Sequence, residues 1–392
     1  MRVVFVSNFF NHHQSSISDF LFRHPELEYR FIETSKVPEE RIKLGYHTLI
    51  ARDYVIRAYE SEQKYAESMD WIKQADAVIF GSAPESMIQG RIKSGKPVFR
   101  YSERPLKFGP EWKKYPVRLL KWNYLNFPRK HVYLLAASAF AAGDYRKFGM
   151  FRGRAFQWGY FPPFADHSDL ERLISEKDTR QILWVGRFID WKRPLFALEA
   201  AKCLKRNQLD FRLDLIGDGN QRPLMENFIA QNDLSDCVRI CPAMSPEAVR
   251  AKMDQAGILL FTSTEREGWG AVLNEAMNSG CTVAAADQIG SVPFLIKPNE
   301  NGFVFHSENL TELVQILTEV LGNAETQGRI GVNAYNTIAS QWKPEIAANR
   351  LAALIQNLTS VEKAPNPFQE GPCRDASIIH KGWLDAYQDD HQ

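Results

Sequence analysis

Residues 256–287 read AGILLFTSTEREGWGAVLNEAMNSGCTVAAAD. Two near-continuous apolar runs, at 257–263 and 282–287, enclose a segment with helical spacing that ends at Gly280. Strands that are apolar on both faces are typical of parallel sheets covered by helices. A strand, a helix and a second such strand form a βαβ unit, so this stretch predicts a parallel α/β fold.

The same alternation of apolar runs and helical patterns continues along the 392 residues, which is enough for two domains. We predict two Rossmann-like, doubly wound parallel-sheet domains, at 1–165 and 175–345. A C-terminal helix and tail, 346–392, is expected to cross back to the N-terminal domain, with 360–373 as a Pro-rich linker. The predicted strands are 2–7, 29–34, 76–81, 97–102, 132–138 and 154–159 in the first half, then 181–187, 211–217, 238–242, 257–263, 282–287 and 302–306.

Composition excludes several classes of protein. The formal net charge is only +1, which argues against a nucleic-acid partner. Five cysteines without a Cys-x-x-Cys pair favour a reducing compartment and argue against a zinc site. No run approaches 18 apolar residues, and the N-terminal run stops at Asn8, too short for a signal peptide. We therefore expect a cytoplasmic protein.

Two cations lie at and just beyond the end of the predicted strand 181–187. Gly186 and Arg187 end this strand, and Lys192 lies just before a helical pattern in which Pro194 suits the first turn and Asp190 the N-cap. Open α/β sheets bind ligands beyond the carboxyl ends of their strands. Arg187 and Lys192 would suit a diphosphate there. The alternative is two exposed cations on a connecting loop.

Two carboxylates follow the strand 257–263. Glycines beside Glu267 would let a ligand approach backbone amides. Glu275 comes eight residues later, a separation of about 12 Å if the whole segment were helical. A sugar joined through a diphosphate to a ribose has a similar span. The alternative is that Glu267 caps the helix and Glu275 lies on the surface.

The run from 181 to 345 resembles the C-terminal domain of glycosyltransferase family 4, retaining enzymes of glycosyl transferases group 1 with the GT-B fold. The matching stretches follow one another in the family's order. They are WVGRFIDWKRP, LDLIGDGN, VRICPAMSPEAVRAKM, GILLFTSTEREGWGAVLNEAMNSG, TVAAADQIGSVPFLI and NGFVF. Each stretch alone is weak, whereas six in register are specific. The GT-B resemblance implies two domains that face each other across a cleft.

The resemblance implies roles for individual residues. Arg187 and Lys192 would hold the donor diphosphate, Glu275 the ribose and Glu267 the transferred sugar. Trp269 replaces the smaller aromatic usual in the family, so we expect it to narrow the sugar pocket. The other expected contacts to the nucleotide sugar are Gly186, Gly217, Ala243, Met244, Gly268 and Gly270, together with the backbone of Trp269.

The N-terminal half departs from the family pattern. The loop Asn8–Gln14 replaces a Gly-Gly pair that many members place near the donor phosphates. Glu103 is the nearest polar candidate where many members have a sugar-contacting His. His12 and His13 come before a helix that we expect to begin near Ser15, and they are either donor or acceptor contacts or ordinary solvated histidines. Adjacent histidines cannot easily converge on one metal ion.

The segment 104–130 interleaves basic and aromatic residues, and Glu111 is its only acid. This composition suits contact with an anionic membrane surface or a phosphate-bearing acceptor. The alternative is a solvated basic face over packed aromatics.

The resemblance implies a retaining glycosyltransferase. We expect it to be metal-independent, because Arg187, Lys192 and helix-end amides can stabilise the leaving diphosphate and no Asp-x-Asp element is present. The donor would be a UDP- or GDP-sugar and the acceptor a glycan or lipid-linked hydroxyl, in cell-surface polysaccharide or glycolipid assembly at the inner membrane face. Two alternatives remain open, a non-catalytic nucleotide-sugar-binding partner subunit and a nucleotide-sugar epimerase of the same fold. A dinucleotide dehydrogenase is disfavoured, because no Gly-x-Gly-x-x-Gly follows the first strand.

Overall fold

A computed structural model describes residues 1–38, 51–109, 114–127, 129–360, 362 and 364–390. The chain divides into two compact units. The first unit comprises Met1–Pro163 and Gln341–Ile379, and the second comprises Phe164–Ser340 and His380–Gln392.

The first unit is built on a parallel sheet of seven strands in the order β3-β2-β1-β4-β5-β6-β7. The strands are β1 (Arg2–Ser7), β2 (Glu28–Glu33), β3 (Val55–Arg57), β4 (Ala77–Phe80), β5 (Val98–Ser102), β6 (Val132–Ala136) and β7 (Ala155–Gln157). The helices described in this unit are His12–Arg23, Glu62–Gln74, Ser86–Lys93, Tyr115–Leu125, Ala141–Lys147 and Pro344–Thr359. Every residue of β4 and β6 is buried, as expected for strands with helices on both faces.

The second unit is built on a parallel sheet of six strands in the order β10-β9-β8-β11-β12-β13. The strands are β8 (Asp178–Val185), β9 (Arg212–Ile216), β10 (Val238–Cys241), β11 (Ala256–Phe261), β12 (Thr282–Ala286) and β13 (Phe303–Phe305). The helices are Leu170–Ser175, Pro194–Arg206, Arg222–Gln231, Pro246–Gln255, Val272–Asn278, Val292–Leu295, Leu310–Val320, Ala324–Thr337 and Trp383–Asp390. None of the helices in the described part of the chain is long and apolar enough to cross a membrane.

The prediction of two doubly wound parallel sheets is confirmed, and each of the twelve predicted strands is present with ends shifted by a few residues. The prediction missed β3, an edge strand of three residues that pairs with β2. A single half-buried Val-Ile-Arg triplet is too short to show any hydrophobic period, so only its pairing with β2 defines it as a strand.

Two predicted helix starts were wrong. The first helix begins at His12 rather than near Ser15, because Asn11 and Gln14 form a capping box. Asp190 does not cap the helix Pro194–Arg206; it opens a short 3₁₀ turn, and Arg193, in the left-handed region, occupies the N-cap position. Pro194 does occupy the first turn, as predicted.

The C-terminal tail contributes to both units. In the first unit, residues 373–376 lie antiparallel to β7, where the Gln157 N–H donates to the Arg374 carbonyl (2.7 Å) and the Cys373 N–H donates to the Gln157 carbonyl (2.8 Å). This pairing satisfies backbone groups that an edge strand otherwise leaves exposed. In the second unit, the Trp383 indole donates to the Asp287 carbonyl (2.9 Å). This bond anchors the first residue of the helix Trp383–Asp390.

Gly217 allows two strand-end loops of the second unit to meet backbone to backbone. The Gly186 N–H donates to the Ile216 carbonyl (3.0 Å), and the Phe188 N–H donates to the Asp218 carbonyl (2.8 Å). A Cβ added to Gly217 would overlap the Gly186 carbonyl oxygen. The loops after β8 and β9 therefore hold this position only with glycine at 217.

We expect Gly217→Ala to destabilise the chain by about 2–4 kcal/mol, because two backbone segments must separate to admit the methyl group. The matched control is Gly322→Ala, where φ is +70° and no atom lies within 4 Å of the added Cβ. Backbone strain alone should cost about 1 kcal/mol there. Urea unfolding of both variants measures the difference, and equal losses would contradict the role assigned to Gly217.

Candidate functional site

The sheet of the second unit reverses its winding between β8 and β11. Loops leaving neighbouring strands at such a switch point diverge to opposite sides of the sheet, which opens a crevice at the carboxyl edge where ligands bind. Arg187 and Lys192 follow β8, whereas Glu267 and Gly268 follow β11. The fold thus brings the principal predicted site residues to one edge, from segments about 75 positions apart in sequence.

Hydrogen bonds join the loops after β8 and β11. The Thr264 N–H donates to the Trp191 carbonyl (2.9 Å), and the Thr262 hydroxyl donates to the Lys192 carbonyl (2.9 Å). The Trp184 indole donates to the same Thr262 hydroxyl (2.8 Å). Thr262 and Trp184 are buried, so these bonds are shielded from water and fix the backbone that carries Lys192.

Lys192 and Glu267 form an ion pair at the centre of this edge, and their side chains are only 13% and 10% exposed. The Ser263 hydroxyl donates to the same carboxylate oxygen of Glu267 (3.0 Å). An ion pair this sheltered is screened far less than one on the surface. The predicted diphosphate contact and the predicted sugar contact are therefore adjacent and paired with each other.

Arg187 and Lys192 both contact the aromatic ring of Trp191. The Arg187 guanidinium lies 5.6 Å from the centre of the Trp191 ring, and the Lys192 ammonium lies 4.9 Å from it. Arg187 is exposed, whereas Lys192 is mostly covered. The edge thus presents one solvent-facing cation beside one that is already paired, a suitable arrangement for an anion with several oxygens.

The segment after Glu267 corrects one prediction. Trp269 is fully buried, its indole donates to the Asn274 side-chain oxygen (2.8 Å), and its ring packs against Phe294. The Trp269 side chain therefore cannot narrow a sugar pocket, although its backbone remains beside Gly268. Gly270 has φ +90°, and an added Cβ would overlap the Phe261 ring, so close packing requires this glycine.

Glu275 lies half-buried on the helix Val272–Asn278. Since that helix begins five residues after Glu267, the 12 Å axial separation expected for a continuous helix does not apply. Burial raises the pKa of Glu275, and the nearby Arg250 cation opposes this rise. Arg250 also donates to the Glu275 carbonyl and to the Asn278 side chain, both at 2.9 Å, which fixes this helix against its neighbour Pro246–Gln255.

The remaining predicted contacts of this unit lie along the same carboxyl edge, farther from the switch point. Gly186 follows β8, and Gly217 follows β9 and donates its N–H to the Cys241 carbonyl (3.2 Å). Ala243 is exposed and Met244 half-buried in the loop between β10 and the helix Pro246–Gln255. Their contacts with a nucleotide stay predictions.

The predicted polar residues of the first unit converge on Tyr160. The Tyr160 hydroxyl donates to Glu103 (2.5 Å), and the His13 ring stacks on the Tyr160 ring with centres 5.5 Å apart. His12 packs against His13 at 3.9 Å. The second oxygen of Glu103 accepts from Lys107 (2.7 Å). No group of three or more metal-ligating side chains converges anywhere in the described chain, these histidines included.

Several solved structures share the fold of this chain. The Anabaena protein Alr3699/HepE in complex with UDP is 16% identical, with 90% of this chain and 98% of that chain covered and a TM-score of 0.65. The pneumococcal O-GlcNAc transferase GtfA in complex with UDP and GlcNAc is 10% identical, with 91% and 99% covered and a TM-score of 0.64. Together with the two parallel sheets, these neighbours define the class: the chain has a GT-B fold.

Within that class, the family model described as Glycosyl transferases group 1 matches residues 168–337, which lie in the second unit. The amylovoran biosynthesis glycosyltransferase AmsK of Erwinia amylovora is 27% identical over 183 residues. That match covers 45% of this chain and 45% of AmsK, so the chain spans a little under half the length of this relative.

Sequence reasoning missed four residues that shape these sites, namely Trp191, Ser263, Arg250 and Tyr160. Ser263 had a usable signal, because a hydroxyl at the carboxyl end of a buried strand is a common ligand position. Trp191, between Asp190 and Lys192, had the signal of an aromatic flanked by charge. Arg250 and Tyr160 had none, since each meets its partners from a distant part of the sequence.

We expect Lys192 and Glu267 to be strongly coupled in a double-mutant cycle. Lys192→Met and Glu267→Gln should each destabilise by about 2–4 kcal/mol, because each leaves a sheltered partner uncompensated. The double variant should lose less than the two single losses together, a coupling of about 1–3 kcal/mol. The control cycle uses Arg172 and Glu176, a solvent-exposed pair that should show no measurable coupling. Equal coupling in the two cycles would refute the sheltered pair, and urea unfolding measures both.

Proposed function

We propose that the chain is a retaining, metal-independent glycosyltransferase that uses a nucleoside diphosphate sugar. The observation that carries the proposal is the junction of β8 and β11, where Arg187, Lys192 and Glu267 meet at one sheet edge. Cations beside a carboxylate match a donor that has phosphates at one point and hydroxyls at the next. The group 1 family match over 168–337 supports the same assignment.

In this proposal each residue has a distinct task. Arg187 binds the diphosphate from the solvent side, and Lys192 turns from Glu267 towards a phosphate oxygen. Glu267 then accepts hydrogen bonds from hydroxyls of the transferred sugar, with Ser263 orienting its carboxylate. Glu275 accepts from the ribose hydroxyls. Because Lys192 and Glu267 are paired before the donor arrives, binding exchanges one ion pair for two charge-assisted contacts.

The proposed transfer step uses that placement. The bond between the anomeric carbon and the diphosphate oxygen breaks, and the acceptor oxygen bonds to the same carbon on the same face. The acceptor proton passes to a phosphate oxygen of the departing diphosphate. Negative charge grows on the leaving group, and Arg187 with Lys192 stabilises it as preorganised cations. No protein nucleophile is required.

The proposed setting is assembly of a cell-surface polysaccharide or glycolipid at the inner face of the membrane, with a glycan or lipid-linked acceptor. AmsK, named for amylovoran biosynthesis, supports the polysaccharide assignment. Uridine donors come first in any screen, because HepE and GtfA were both solved with UDP. Guanosine donors come second.

We expect a uridine or guanosine diphosphate sugar to stabilise the chain in a thermal-shift panel. A true donor at a hundredfold excess over its Kd contributes about 2.7 kcal/mol. Arg187→Ala should weaken that donor about tenfold without altering the stability of the free chain, since Arg187 is exposed. The control, Arg206→Ala, removes an exposed arginine from the far end of the helix that starts at Pro194. Equal affinity in wild type and Arg187→Ala would remove Arg187 from the site.

Turnover separates the transferase from the two alternatives. A transferase releases the nucleoside diphosphate and forms a product that keeps the anomeric configuration of the donor, which NMR reports. A partner subunit would bind the donor and release nothing. An epimerase would convert the donor sugar without an acceptor.

We expect Glu275 to make donor binding sensitive to acid. Its pKa is raised by burial, so acidification protonates it before an ordinary exposed glutamate, and the ribose contact is then lost. The folded chain binds that proton more tightly than the unfolded chain. Protonation of Glu275 therefore increases the free energy of unfolding of the donor-free chain. Glu275→Gln resembles the protonated glutamate. It should weaken the binding of every donor of one nucleotide by about tenfold, because the charged contact to the ribose is lost, and it should cause no loss of stability.

Isothermal titration calorimetry of the donor, repeated at several pH values from neutral to mildly acidic, measures the change in affinity. Glu199→Gln, an exposed glutamate on the helix Pro194–Arg206, is the control and should keep the wild-type profile. A Glu275→Gln variant that loses affinity on acidification as steeply as wild type would show that another group is responsible.

A further inference from the structure

Exposed apolar side chains are concentrated in one stretch of the first unit. Among the described residues, nine large hydrophobic side chains are exposed, and five of them lie between residues 108 and 127. Each of these five is 65–71% exposed, well above the other four. They are Phe108, Val117, Leu120, Tyr124 and Phe127. Exposed hydrophobic residues scattered singly are ordinary, whereas a cluster of this kind marks an interaction surface.

Three of them form one face of the helix Tyr115–Leu125. Val117, Leu120 and Tyr124 are spaced by three and four positions, so they line the same side. We call these three residues the docking face. Phe108 and Phe127 adjoin the helix along the chain, while residues 110–113 and 128 lie outside the described residues.

The opposite face of this helix is fixed to the core. The Tyr115 ring stacks on Phe148, and Trp122 meets Tyr145 edge to face at 5.2 Å. At the C-terminal end, buried Arg100 donates to the Asn126 side chain (2.9 Å). These contacts hold the helix at both ends. They direct the docking face away from the core.

The charged residues of this helix and of the residues that follow it to 130 are all basic. The helix Tyr115–Leu125 contains Arg118 and Lys121 and no acidic residue, and Lys114 precedes it. Lys114, Lys121 and Lys130 are exposed. Over 114–130 there are five basic residues and no acid, although the whole chain has a net charge of only +1. Arg104 and Lys107, which precede this range, are paired with Asp144 and Glu103. The excess positive charge is thus local to this segment.

We propose that the docking face binds a lipid surface with anionic headgroups. An apolar stripe flanked by lysine and arginine lies in the plane of a bilayer interface, its apolar side among the acyl chains and its cations at the headgroups. A second copy of this chain would bring like charges together at the same place, so the charge argues against self-association. The inference deepens the proposed function, on which it rests, by giving the route to a lipid-linked acceptor.

The size of the helix suits this role. Its 11 residues extend about 16 Å, too short to cross a bilayer but sufficient to lie along its surface. Val117, Leu120 and Tyr124 then enter the interface together, and Tyr124 keeps its hydroxyl at the level of the headgroups.

Co-sedimentation with vesicles tests the proposal. We expect the full chain to bind vesicles of phosphatidylcholine with roughly one third phosphatidylglycerol, and to bind pure phosphatidylcholine at least tenfold more weakly. Leu120→Gln with Tyr124→Gln should reduce binding about tenfold or more, since two exposed anchors are lost. Lys114→Gln with Lys121→Gln should reduce it about tenfold or more and remove most of the salt dependence.

Matched controls change the same residue types elsewhere on the surface. Tyr65→Gln with Leu224→Gln removes two exposed apolar side chains from other helices, and Lys73→Gln with Lys93→Gln removes two exposed lysines of the first unit. These controls should bind vesicles as wild type does. As a direct reporter, Tyr124→Trp should show a blue-shifted emission and quenching by brominated lipid on binding.

Three outcomes would overturn the proposal. The first is that the chain stays in the supernatant when anionic vesicles are sedimented. The second is that the docking variants bind vesicles as well as the controls do. The third is that gel filtration shows a dimer of the wild type that the docking variants do not form. Donor binding is measured in parallel by thermal shift. The docking variants should keep it, because their residues belong to the first unit and the donor site to the second, so loss of vesicle binding and loss of donor binding are separate failures.

Discussion

The pair formed by Lys192 and Glu267 is the constraint on which the candidate site depends. The two residues belong to loops after β8 and β11, strands that adjoin in the sheet although they are far apart in sequence. Their charges are mostly excluded from water, so each needs the other, and Ser263 and the Trp191 ring complete their surroundings. A ligand that separates this pair must offer each charge a new partner, and the nucleoside diphosphate sugar that we propose has phosphates for Lys192 and hydroxyls for Glu267.

Backbone contacts hold the loops around this pair in place. Thr262 bonds to the Lys192 carbonyl, and Gly217 permits the loops after β8 and β9 to touch. Close packing at Gly270 likewise holds the segment after Glu267 against the Phe261 ring. The docking face, by contrast, belongs to the first unit, so the two sites that we propose lie in different parts of the chain.

Sequence patterns predicted the two sheets well because buried parallel strands are apolar on both faces, as VVFVS in β1 and GILLF in β11 illustrate. They failed where the signal was local and overlooked, as with the capping box of Asn11 and Gln14, or absent, as with the three-residue strand β3. Trp269 shows a different limit. This residue, next to a glycine predicted to contact the donor, was expected to narrow a sugar pocket, but its indole is buried against Asn274.

By itself, the sequence determined the parallel α/β class, the order of the strands along the chain and the position of each charged site residue relative to a strand end, because hydrophobic period and turn chemistry are local properties. Only the tertiary structure decided which of those residues meet. The pairing of Lys192 with Glu267, the contact of Arg250 with the helix of Glu275 and the convergence of His13 and Glu103 on Tyr160 all join distant segments. Such contacts arise from strand order and packing, which no local pattern encodes.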